Sequence, residues 1–332
     1  MKKIEKDIAV EEKFVQSLVK NNTKNYVNIS CQINKSVQDI TTIVQKFGEV
    51  SVSSDPCDVS IQNQKDRQAQ IMVALPTGNI DNLTLTLQKR IDTELSNIRG
   101  CSMLPDGRMV FSCYAKDIIR VLKSDGSTDF EIGETFDVVL IGGESLAVTS
   151  SESDKINIID LKNKILKKTI KVNSHNDEVA YKDGKLIYCA RKKGLQMISL
   201  SDESVTNVIN AKLPLYAHDA YVTTFGEKLF YTNNKSVNCC DYHGNILWTF
   251  CHRSCLKYPL GISVDNGGNV FVVGYLTNNV VVISPDGQNH RQLLSCEDGL
   301  DNPTVLHYDQ STNKLLVAND YNDAFVYEVE LV

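Results

Sequence analysis

From residue 81 onward, polar and apolar positions alternate in short β-rich runs, each introduced by turn residues, and one apolar triplet recurs at a nearly constant spacing. It reads Met109-Val110-Phe111, Leu146-Ala147-Val148, Leu186-Ile187-Tyr188, Leu229-Phe230-Tyr231, Val270-Phe271-Val272 and Leu315-Leu316-Val317. Successive first members lie 37, 40, 43, 41 and 45 residues apart, the spacing of a four-stranded propeller blade. A second run follows each triplet and often ends in a tight turn, as in Ile118-Ile119-Arg120-Val121 before Asp125-Gly126 and Val280 to Ile283 before Asp286-Gly287. The pattern predicts an all-β fold, a six-bladed β-propeller over residues 81–332.

A ring of blades must also close. The last unit offers three strand-like runs, Val305 to Tyr308, Leu315 to Ala318 and Phe325 to Leu331. An unpartnered alternation, Leu83-Thr84-Leu85-Thr86-Leu87, precedes the first triplet. Leu83, Leu85 and Leu87 are therefore expected to supply the missing outer strand of blade six and remove an open edge.

Before residue 50 the period changes. Tyr26, Ile29, Ile33, Val37, Ile40, Val44 and Phe47 follow steps of three and four, which predicts an α-helical, coiled-coil-like segment over 1–48. Ile33, Val37, Ile40 and Val44 form its expected oligomerisation seam, and a homo-oligomer is the expected assembly. Residues 49–80 read as a spacer with a short extended stretch.

Composition narrows the class. The chain has 332 residues and a formal net charge of −6, and residues 81–332 carry 25 basic against 32 acidic side chains. An acidic domain disfavours general phosphate binding, so nucleic acid is a disfavoured partner. Charges interrupt the apolar stretches of the N-terminus, and no window resembles a membrane span. The expectation is a soluble cytoplasmic protein whose ten cysteines are mostly buried and reduced.

Candidate chemistry is sparse. Asp137, Glu178 and Asp219 each fall eight to ten residues before a triplet, so their units could bring them to one end of the ring as a partner-binding face or a hard-cation site. Cys239-Cys240, His243, Cys251-His252 and Cys255 form a thiol and imidazole cluster that matches no closed zinc spacing. Ser174, His175, Asp177 and His218-Asp219 are neighbours in sequence without a reason to be a triad. Lys162 to Lys171 and Arg191-Lys192-Lys193 read as solvated hairpin segments. No catalytic, cofactor-binding or metal residue is expected.

Unit five resembles an NHL repeat through Pro259, Gly261, Val264, Asp265, Gly268, Val270, Val272, Asn279 and Asp286-Gly287, and unit one shares Gly100, Pro105-Asp106-Gly107 and Ser124-Asp125-Gly126. A helical segment, a spacer and a divergent six-bladed NHL-type propeller together resemble the C-terminal part of invertebrate tripartite-motif (TRIM) proteins. That resemblance implies a protein-recognition module of a RING-type ubiquitin ligase. In that family zinc and ligase activity belong to RING and B-box domains, whose Cys/His spacing this chain lacks, so neither is expected on its own residues. An RNA-binding NHL propeller and a lactonase-like metal-dependent hydrolase are the alternatives.

Overall fold

The computed structural model describes residues 28–32, 49–53, 80–133, 136–142, 144–150, 153–191, 193–209 and 220–331. The chain divides into two units, Met1–Met72 and Val73–Val332. In the first, Asn28–Gln32 pairs antiparallel with Glu49–Ser53, Asn28 facing Ser53 and Gln32 facing Glu49. This strand lies in the span where the heptad pattern predicts a helix. Ile29 and Cys31 also alternate with polar neighbours, as Val50 and Val52 do, so the same residues satisfy a period of two. Ile33, Val37, Ile40 and Val44 lie outside the described residues. Among the described residues no helix is long and apolar enough to cross a membrane.

The second unit holds six four-stranded antiparallel sheets. Their inner strands are Ile98–Met103, Val138–Leu140, Asn176–Lys182, Val222–Phe225, Pro259–Val264 and Pro303–Asp309. Each touches the next, and the last touches the first, so the sheets are the blades of a ring. The triplets occupy the second strands, for example Met109–Cys113 and Val270–Gly274, which are buried at every position. A second strand meets neighbouring blades on both faces, so continuous apolar residues replace the alternation of a half-exposed sheet.

Closure is made by strands from the beginning and the end of the second unit. Leu83–Ser96 pairs with Tyr321–Leu331 as the outer strand of blade six, Leu83 opposite Leu331, Leu85 opposite Val329 and Leu87 opposite Tyr327. Arg90 forks onto Asp323 at 3.1 and 3.0 Å. The Arg291 guanidinium of blade five donates to the carbonyls of Asp81 and Leu83. The three leucines contribute unequally, because Leu83 is 1% exposed and Leu87 52%.

Two local devices set the packing. At Gly261 a Cβ would stand 2.6 Å from Val305 Cα, so the inner strands of blades five and six approach as closely as only glycine permits. In the hairpin after that strand, Asp265 Oδ1 accepts from the Gly267 and Asn269 amides, both at 2.8 Å. Asp241 does the same for His243 and Asn245 in blade four, so the recurring turn aspartates act as caps for backbone donors.

Candidate functional site

The inner strands enclose a cavity of about 500 Å³ whose walls include residues from all six blades. Pro105, Asp309, Gln310 and Ser311, from the first hairpins, line it at one end. Counting three residues back from the hairpin-proximal pairs Leu140↔Leu146 and Tyr181↔Leu186 places Asp137 and Glu178 at one register level in adjacent blades. Gly100, opposite Ser112, holds that level in blade one, and a Cβ there would strike Asp137 Oδ1 at 2.4 Å. The missing side chain makes room for the carboxylate.

Asp137 and Glu178 are each 5% exposed. Asp137 Oδ2 accepts from the Val179 amide at 2.9 Å, and a side-chain hydrogen bond joins the two carboxyls. Burial raises Asp137 to about 6 against the opposing pull of its hydrogen bonds. Burial, and then the charge of Asp137, push Glu178 well above the ordinary carboxylate range. Two like charges this close cannot both persist without water, so Glu178 is the protonated donor and Asp137 the acceptor near neutral pH. Glu178 Oε1 has no hydrogen-bond partner.

His307 lies on the cavity wall in blade six. The Met103 amide donates to its Nδ1 at 3.2 Å, which places the proton of the neutral ring on Nε2. Desolvation lowers its pKa to about 4. Ser263, also on the wall, accepts from the Tyr308 amide at 3.0 Å and ties blade five to blade six. An imidazole that presents Nε2–H and a singly charged carboxyl pair suit a small ligand that carries both a hydrogen-bond acceptor and donors. They are enclosed, so Asp137 and Glu178 do not present charge to a macromolecule on an exposed rim, as a partner-binding face would require.

Asp219 lies outside the described residues, and the corresponding level of blade four is held by buried Tyr221. The fold separates members of the thiol and imidazole cluster and of the Ser-His-Asp grouping, while His252 and Cys255 stay close. Cys239 and Cys240 are adjacent buried strand positions, while His243 sits in the following turn. The Asp177 carboxylate receives Arg191 at 3.0 Å, so it is not available to orient His175. Lys164, Lys167, Lys168 and Lys171 lie in or beside the outer strand of blade two, Ile165–Lys171.

A second feature lies at the other end of the inner strands, where chain connections and the turns between second and third strands meet. Leu276 in the blade-five turn is 60% exposed, and Tyr321, the first residue of the third strand of blade six, 58%. Tyr258 and Tyr275 flank Leu276 with ring centroids 6.0 Å apart. The Tyr275 amide donates to the Tyr258 carbonyl at 3.1 Å. Arg99 Nη1 faces Asp320 Oδ1 at 3.5 Å beneath this patch. Burial raises the Tyr275 hydroxyl's pKa, with the Asp320 charge adding to it. The Asn302 amide donates to Asn278 Oδ1 at 2.8 Å, so the connection into blade six is fixed to the blade-five turn. Aromatic enrichment here escaped the sequence reading because Tyr258, Tyr275 and Tyr321 belong to separate loops.

No family model matches the chain, and no curated protein does. Among solved structures it is similar to a protein of unknown function from Bacteroides thetaiotaomicron, with TM-score 0.62 and 12% identity over 75% of this chain and 76% of that one. It is also similar to selenomethionine-substituted virginiamycin B lyase from Staphylococcus aureus, with TM-score 0.52 and 14% identity over 75% of this chain and 99% of that one. At such identities the likeness extends to the propeller fold alone.

Proposed function

We propose that the propeller is a recognition module that holds a protein partner on the face made by Tyr258, Tyr275, Leu276, Tyr321 and Arg99. The observation that carries this is the exposure of Leu276 and Tyr321, 60% and 58%, at the blade-five turn and at the start of the third strand of blade six, beside a connection fixed to that turn by Asn302 and Asn278. A contiguous exposed apolar patch marks an interaction site, and Tyr and Arg are enriched at interface hot spots. A pre-ordered face also loses little entropy when it binds. In the TRIM-like setting implied by the sequence resemblance, this face selects a substrate for a RING domain. The test is capture of partners by the whole chain and by Leu276→Glu/Tyr321→Glu. Loss of protein capture with unchanged circular dichroism supports the proposal, whereas undiminished capture by the double variant overturns it.

The cavity supports a second reading, a lactonase-like or other small-molecule site. It rests on the unpartnered Glu178 Oε1 in a cavity whose mixed apolar and polar wall also carries Asp137, Ser263 and His307. Calorimetric binding of calcium that disappears in Glu178→Gln is the result this reading requires.

A further inference from the structure

His252, Cys255 and His290 come together although 38 residues separate the first from the last. Their candidate ligand atoms all lie within 4.8 Å of one another. His252 and Cys255 belong to the connection that leaves blade four after Ile246–Phe250, and His290 begins the outer strand His290–Leu294 of blade five. The connection is shaped for this convergence. The Cys255 and Leu256 amides both donate to the His252 carbonyl, at 3.2 and 2.9 Å, forming a single helical turn that brings positions i and i+3 to the same side. Asn279 Nδ2 donates to the Cys255 carbonyl at 2.7 Å and anchors the turn to blade five.

The two imidazoles are packed rather than merely close. Phe250 lies against both, 6.3 Å from His252 at an interplanar angle of 14° and 5.1 Å from His290. The two imidazole centroids are 4.8 Å apart. Ser254 Oγ lies 3.1 Å from His252 Nδ1, and engagement of one ring nitrogen orients the other for a ligand.

We propose that His252, Cys255 and His290 form a zinc site joining blades four and five, with water in the fourth position. Two imidazole nitrogens and one thiolate are the donor set that a borderline divalent metal prefers over the oxygen ligands of calcium or magnesium. Tetrahedral zinc sets such donors roughly 3.5 Å apart, from bond lengths of about 2.0–2.3 Å. The His252 side chain, exposed on its outer side, supplies the remaining approach by rotating away from Phe250 and Ser254 toward the metal. On binding, a zinc–sulfur bond forms as the Cys255 S–H bond breaks and its proton passes to solvent, while the imidazoles displace waters from the hydrated ion.

The test uses the intact chain, stripped with chelator, and titrated with Zn²⁺ and with Co²⁺ as a spectroscopic probe. The expected result is one equivalent of metal, a cobalt–thiolate charge-transfer band, and a rise in melting temperature on adding zinc. Cys255→Ser should abolish the band, and His290→Gln should weaken binding by more than the roughly 10- to 100-fold typical of losing a supporting contact. Cys251→Ser and Cys296→Ser, which change exposed thiols outside the cluster, should bind as the parent does. Metal-free melting curves identify any variant that fails to fold, and His252→Asn provides a second removal of a ligand at an exposed position. The proposal is overturned if the parent takes up no stoichiometric zinc, or if the band survives in Cys255→Ser.

Discussion

Asp137 and His307 face the same cavity, yet burial moves them in opposite directions along the pH scale. Asp137 is raised from 3.8 to about 6. Its stabilising contribution is therefore complete below the unfolded value and lost as pH rises through about 6. His307 is lowered from 6.5 to about 4, so its contribution is present above 6.5 and lost as pH falls toward 4. The two effects oppose each other between about pH 4 and 6, and single variants separate them. Asp137→Asn should raise the melting temperature at pH 8 more than at pH 4.5, and equal shifts would contradict the buried-carboxyl assignment. His307→Gln should blunt the loss of stability between pH 6.5 and 4.5; an unchanged acid limb in thermal melts would count against a neutral His307. Gly261→Ala tests close approach. Its Cβ meets backbone at 2.6 Å, so urea titration should show a loss of about 2 kcal/mol or more, the size expected of overpacking. Asp137 and Glu178 were readable as a pair from their offsets to the triplets. Tyr221 was not, because the first hairpin differs in length between blades. The convergence of His290 with Cys255 was also hidden, since nothing local links an outer strand to the preceding blade's exit.

The closing strand shows where sequence reasoning is strong at the level of elements. An alternating segment without a neighbour and a final unit short of one strand together locate the pairing of Leu83–Ser96 with Tyr321–Leu331. Hydrogen-bond register follows from alternation, but burial depends on what lies over each strand face, and alternation is silent about that. Leu83→Ala should cost about 2–5 kcal/mol, the range for a buried leucine, whereas Leu87→Ala should change stability by less than about 0.5 kcal/mol. Chemical denaturation compares them directly, and equal costs would contradict the observed division of burial. Asn28–Gln32 shows the reverse case. Its residues fit both a heptad and a two-residue period, so the apolar pattern alone does not choose between helix and strand, and they pair with Glu49–Ser53.

Across the whole molecule, closure makes a rigid ring in which blade skeletons are fixed by packing and end loops are free to carry function. The fold was legible because every blade repeats one apolar skeleton, while the exposed face is assembled from loops that share no period. The central claim is that a protein partner sits on the turns of blades five and six. Site-specific photocrosslinking tests it most directly, with the crosslinker placed singly at Leu276, at Tyr321, and at Leu247 on the outer strand of blade four, where exposure is also high at 50%. One shared protein adduct is expected from Leu276 and Tyr321, absent from Leu247. An adduct confined to Leu247, or none from either position under conditions where the partner is captured, would contradict the claim.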